Sequence, residues 1–120
     1  MAWISWSVFL AVAMLLPSDN IPDSKLLSND KLAHLGVFMI HCVLLNLAMD
    51  KTIAGPKRKI KGLYIALTIS IVYGAGLEFL QQFIPGRMTD IYDLLANTLG
   101  AVIGTIVFIT FNKISLRFLN

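Results

Sequence analysis

Four apolar runs separated by short polar loops leave this chain few ways to fold. The runs cover roughly residues 2–16, 32–49, 62–84 and 91–111. The loops between them, "PSDNIPDSKLLSNDK", "DKTIAGPKRKIK" and "PGRMTD", are turn-rich or charged. A bilayer core takes about 20 apolar residues to cross as a helix. In lipid, a backbone that spans alone must satisfy its own amides and carbonyls. The expected fold is therefore all-α, a membrane four-helix bundle forming a single domain over residues 1–120. Composition agrees: 57% of residues are hydrophobic and only 14% charged, with mean hydropathy +0.74, too apolar for an ordinary soluble domain. The first run is short, and Trp3 and Trp6 are expected to anchor it at the interface. It lacks the basic start and small-residue cleavage site of a signal peptide.

Basic residues suggest the orientation. Lys51, Lys57, Arg58, Lys59 and Lys61 crowd the second loop, and Lys113 and Arg117 follow the fourth run. The other two loops hold Lys25, Lys31 and Arg87. The positive-inside rule then places both termini in the cytoplasm, an N-in/C-in topology. The basic loop has no interleaved aromatics, which argues against nucleic acid and for anionic lipid beside the membrane. Cys42 is the lone cysteine, so no intrachain disulfide forms, and within an apolar run it reads as a small buried hydrophobe. No metal-protease or nucleotide-binding motif is present, and no cofactor is expected.

Against this background, polar residues concentrate at one level. Asp30, Lys31 and His34 open the second helix, Glu78, Gln81 and Gln82 close the third, and Asp90, Asp93 and Asn97 open the fourth. With a third helix ending at Ile84 and a fourth starting at Ile91, Glu78 and Asn97 both lie roughly 9 Å below the outer helix ends. At about 100° per residue, Asp90, Asp93, Asn97, Gly100 and Gly104 share a face within roughly 80°. Gly74, Glu78 and Gln82 form a second stripe with Gln81 at its margin, and His34 and His41 share a face of the second helix. Charged side chains facing lipid are costly, so these stripes should turn inward. Gly74, Gly100 and Gly104 are expected at helix contacts. "PGR" makes the third and fourth helices a hairpin, with Arg87 placed to meet Glu78, Asp90, Asp93 or an outside phosphate. The inner half of the bundle reads as almost wholly apolar, which disfavours transport.

Several of these residues also suit structural roles. Asp30 and Asp90 can cap helices, Asn97 can bond a neighbouring helix, Lys31 can snorkel to headgroups, and His41 reads as a bonded core histidine. Glu78 resists such a role, because a carboxylate inside a span needs a partner or a proton.

The segment "DKLAHLGVF" (Asp30 to Phe38), with Glu78, Gln81, "PGR" at 85–87, Asp90, Asp93, Asn97, Gly100 and Gly104, resembles the VanZ-like family over nearly the whole chain. That family comprises small multi-spanning bacterial membrane proteins, and its name-giving member is associated with teicoplanin resistance. The resemblance implies a bacterial cytoplasmic membrane location. It carries over Asp30, Lys31, His34, Glu78, Gln81, Arg87, Asp93 and Asn97 as site residues. Phe38 stands where the family often has tyrosine.

Three functions compete. In the first, Arg87, Lys31 and His34 hold phosphate oxygens of an anionic lipid or lipid-linked cell-wall precursor, while Gln81 and Asn97 bond its headgroup. In the second, an enzyme acts on such a substrate with Glu78 as desolvated general base, His34 as its partner and Arg87 as charge stabiliser. A metal version of the enzyme takes His34, Glu78 and Asp93 as ligands. In the third, the polar residues only hold helices in register.

Overall fold

The computed structural model describes residues 1–16, 30–53, 58–87 and 89–118, without the side chains of Asp30, Arg58 and residues 114–118. Four helices make up the fold: α1 (Ala2–Leu15), α2 (Asp30–Thr52), α3 (Arg58–Gln81) and α4 (Ile91–Phe118). No strand occurs among the described residues. Three of the helices are long and apolar enough to cross a membrane, over Lys31–Thr52, Lys59–Gln81 and Ile91–Lys113. Of the basic residues on which the orientation depends, Lys25 and Lys57 lie outside the described residues.

α2 is the centre of the bundle and packs on α1, α3 and α4, while α3 and α4 also touch each other. Small residues allow the closest approach. A Cβ at Gly100 would fall on the Leu35 carbonyl oxygen, and one at Gly104 would lie 2.5 Å from the Met39 carbonyl oxygen. Backbone therefore meets backbone where α4 crosses α2. At Gly74 a Cβ would sit 3.1 Å from the Phe38 ring and 3.3 Å from Asn97 Cβ, so α3 closes over the same junction. Large apolar side chains such as Tyr64, Val72, Phe79, Ile106 and Phe111 point outward, as they do where the surrounding solvent is lipid.

The first helix is the short one, as its apolar run implies. With 14 residues, α1 is about 21 Å long at 1.5 Å per residue, short of a ~30 Å hydrocarbon core. It rests on α2 and α3 without touching α4. Leu10 and Met14 enter a core with Phe38 and Leu77, flanked by Trp6 and Tyr73. Five hydrogen bonds tether it along its length. Trp6 Nε1 donates to Val37 O at 3.1 Å, Ser7 Oγ meets His41 Nε2 at 3.0 Å, and the Tyr73 hydroxyl donates to Ser7 O. Gln81 Nε2 donates to Met14 O at 2.9 Å, and Arg87 Nε to Leu16 O at 3.0 Å. Each contributes on the order of 1 kcal/mol. Trp6 is thus turned toward the bundle, its indole N–H committed to α2 backbone. At Leu16 the backbone is extended (φ −66°, ψ 138°), as expected for a residue preceding proline.

α3 ends earlier than the apolar run does, at Gln81. Phe83 N bonds Leu80 O and Ile84 N bonds Gln81 O, tightening the chain into short turns. Pro85 and Gly86, the latter at φ 76°, then form a reverse turn closed by Arg87 N to Ile84 O at 3.1 Å. Proline followed by a positive-φ glycine is the type II pattern. Thr89 Oγ1 bonds back to Glu78 O at 2.9 Å, drawing the start of α4 against the end of α3.

Candidate functional site

α2, α3 and α4 bring their polar stripes together at the end of the bundle carrying the α3–α4 turn. His34 comes from the second turn of α2, Glu78 from the last turn of α3, and Asp93 and Asn97 from the first turns of α4. All are buried, at 6%, 1%, 7% and 1% exposure. Because α3 stops at Gln81, Glu78 lies only three residues, or about 4.5 Å, from its end. Its burial therefore comes from sideways packing on α2 and α4 rather than from depth.

The cluster is compact but loosely joined. Asn97 links two of its members, with Oδ1 2.9 Å from His34 Nδ1 and Nδ2 3.5 Å from Glu78 Oε1. His34 Nδ1 lies 3.6 Å from Glu78 Oε1, and Nε2 lies 3.9 Å from Asp93 Oδ2. Both separations are long for hydrogen bonds. Glu78 Oε2 is buried and has no hydrogen-bond partner among the described residues. Ligand atoms of His34, Glu78 and Asp93 all lie within 4.8 Å of one another.

Lys31 caps the cluster on the outside. Its Nζ reaches Asp90 Oδ2 at 3.1 Å and Asp93 Oδ1 at 3.3 Å, and stands 5.9 Å from the Tyr92 ring centre. The side chain is half-exposed. Asp90 is the N-cap of α4, its Oδ1 accepting from Tyr92 N at 2.9 Å. That backbone hydrogen bond, reinforced by Lys31, holds its carboxyl below the ordinary aspartate range.

Other expected members face elsewhere. Gln81 is buried but bonds Met14 O of α1, and Arg87 bonds Leu16 O; among the described residues Arg87 pairs with no carboxylate. Lys31, not Arg87, takes Asp90 and Asp93. Gln82 points outward and Gln81 inward, so the inner stripe of α3 runs through Gly74, Glu78 and Gln81. The Asp30 side chain lies outside the described residues.

A second polar layer lies two turns along α2. His41 is buried with both ring nitrogens bonded, Nε2 to Ser7 Oγ at 3.0 Å and Nδ1 to Ser70 Oγ at 3.2 Å. Its ring stacks on Tyr73 at 5.1 Å and meets Phe38 edge-on at 5.7 Å. Further along, Cys42 Sγ meets Thr105 Oγ1 at 3.3 Å, and Asn46 Nδ2 donates to Cys42 O at 2.9 Å. The buried Oδ1 atoms of Asn46 and Asp50 have no partner among the described residues. The expectation of an almost wholly apolar inner half does not hold. Hydroxyls of Ser7, Ser70 and Thr105 meet His41 and Cys42 across helices, while Asn46 bonds its own helix, and the i+4 ladder Ala66, Ser70, Gly74, Glu78 was the available signal for Ser70.

Fold and cluster together define a small multi-helix membrane protein with an acidic, histidine-containing centre at one end of its bundle. The chain belongs to the VanZ/LLP1 family, whose model matches residues 3–112. It is also 31% identical over 85 residues to an uncharacterised protein of Schizosaccharomyces pombe. The match covers 71% of this chain but only 49% of that relative, so the chain spans about half its length. No solved structure matches.

Proposed function

We propose that the protein lies in the bacterial cytoplasmic membrane with both termini inside, and binds the headgroup of an anionic lipid or lipid-linked envelope precursor at the outer leaflet. Through that binding it modulates susceptibility to teicoplanin-type glycopeptides. The observation that carries this reading is the gathering of polar groups from three helices at one end of the bundle, with Lys31 and Arg87 at the rim. Among the described residues Arg87 bonds through Nε alone, which leaves its two terminal nitrogens for phosphate oxygens. Lys31 adds a half-exposed ammonium beside the Tyr92 ring. The excess of basic residues around the α2–α3 loop supports placing the cluster outside.

Mass spectrometry of lipids retained by detergent-purified protein tests this. An anionic species should accompany the wild type and fall at least about tenfold in Arg87→Ala, the loss expected for a charge-assisted contact worth ~1.5 kcal/mol or more. Unchanged retention in a folded Arg87→Ala protein overturns it. Catalysis on the same substrate class is the second reading, favoured by the orphaned Glu78 Oε2 beside His34. Glu78 would take a proton and His34 exchange it, and turnover abolished by Glu78→Gln would mark that case.

A further inference from the structure

We propose that His34, Glu78 and Asp93 form a binding site for a divalent first-row transition metal such as Zn²⁺ or Mn²⁺. The buried set pairs two carboxyl groups with one imidazole, and Asn97 adds an amide. Two carboxylates in a space of low dielectric repel one another, and a divalent ion neutralises both at once. Lys31 offsets only part of this charge, since it is shared between Asp93 and the exposed Asp90.

The spacing points the same way. One ligand atom from each of His34, Glu78 and Asp93 falls within 4.8 Å of the others, with His34 Nε2 standing 3.9 Å from Asp93 Oδ2. Groups bonded to each other would be closer; groups bonded to a common ion at ~2.0–2.2 Å lie up to about 4.2 Å apart. A side-chain shift of a few tenths of an ångström closes the difference.

Glu78 supplies an independent indication. It is 1% exposed, and its Oε2 has no hydrogen-bond partner among the described residues. Such an atom is costly to bury without a compensating interaction, and metal coordination provides one.

Asn97 completes the arrangement. Its Oδ1 at 2.9 Å from His34 Nδ1 accepts the N–H there and holds the ring with Nε2 3.9 Å from Asp93 Oδ2. Orienting a ligating histidine through its other nitrogen is the usual outer-shell device in metal sites. A single nitrogen with carboxylate oxygens suits Zn²⁺ and Mn²⁺ better than a soft ion, which would favour sulfur. Three protein ligands leave positions for water or a phosphoryl oxygen. The site thereby deepens the headgroup reading without depending on it.

The test uses full-length protein in detergent, stripped of lipid and metal, then loaded with ZnCl₂ or MnCl₂ and desalted. Elemental analysis should find about one ion per chain, falling at least ~10-fold in His34→Gln and Glu78→Gln. Ser70→Ala, in the second polar layer, should retain it. Pulsed electron paramagnetic resonance of the Mn²⁺-loaded wild type should show coupling to one imidazole nitrogen. That readout needs no variant to fold. Folded wild type that takes up neither ion overturns the proposal, as does undiminished uptake by folded Glu78→Gln. Because lipid is absent throughout, failure here is distinct from failure of headgroup binding.

Discussion

His34 and His41 lie two helical turns apart on one face of α2, both buried, in contrasting surroundings. His41 meets two serine hydroxyls and two aromatic rings, and both its nitrogens are bonded. Its layer joins α1, α2 and α3 with neutral groups. His34 bonds the Asn97 amide and stands 3.6 Å and 3.9 Å from the carboxyl groups of Glu78 and Asp93, and Glu78 Oε2 has no partner among the described residues. A neutral, satisfied network rigidifies a fold, whereas an acid-rich, partly satisfied one costs stability unless something else binds there. The inner layer ties α1, α2 and α3 together, and the outer one is the proposed seat of an occupant.

The most drastic break of this contrast removes the frame both layers share. Gly100→Val forces a side chain into the Leu35 carbonyl, and should cost more than ~3 kcal/mol, at or beyond the upper range for overpacking. Loss of monodisperse protein in size-exclusion chromatography checks it. Next, His41→Ala strands the Ser70 hydroxyl and leaves Ser7 Oγ only its bond to Trp3 O, and should destabilise by about 2 kcal/mol, with metal uptake kept. His34→Ala should reverse that pattern in metal-free protein, and thermal unfolding of both side by side reads the difference. Gln81→Leu removes one tether of α1 for about 1 kcal/mol. It should raise amide exchange in α1 while leaving α2 and α4 protected.

The smallest effect is electrostatic. The folded-state carboxyl of Asp90 titrates below its ordinary value, so its stabilisation is fully present above about pH 4. It is lost as pH falls through the lowered folded value. Unfolding midpoints measured between pH 5 and pH 3 should decline, and Asp90→Asn should flatten part of that decline.

Much of the outer layer was legible in the sequence. Carboxylates within apolar runs must face inward, and the helical period of Asp93, Asn97, Gly100 and Gly104 shows which face that is. The destinations of Gln81 and Arg87 were not legible. Each bonds a backbone carbonyl of α1, and a carbonyl has no residue identity to read. The α3 boundary was hidden because Phe83 and Ile84 are apolar yet lie in the turn that Pro85 and Gly86 require. The inner layer escaped notice because Ser7, Ser70 and Thr105 sit singly in apolar runs, where only a three-dimensional neighbour distinguishes a bonded hydroxyl from a lipid-facing one.

The central claim is that the outer cluster serves a ligand rather than the fold. The thermal unfolding midpoint of Glu78→Gln, measured without metal or lipid, tests it most directly. Replacing a buried acid whose contacts through Oε1 are long and whose Oε2 has no partner among the described residues with a neutral amide of the same shape should leave the midpoint unchanged or raise it by a few degrees, ~1 kcal/mol. A fall of more than about 5 °C would correspond to roughly 1 kcal/mol of lost stability or more. It would contradict the account and make the cluster a structural layer like that of His41.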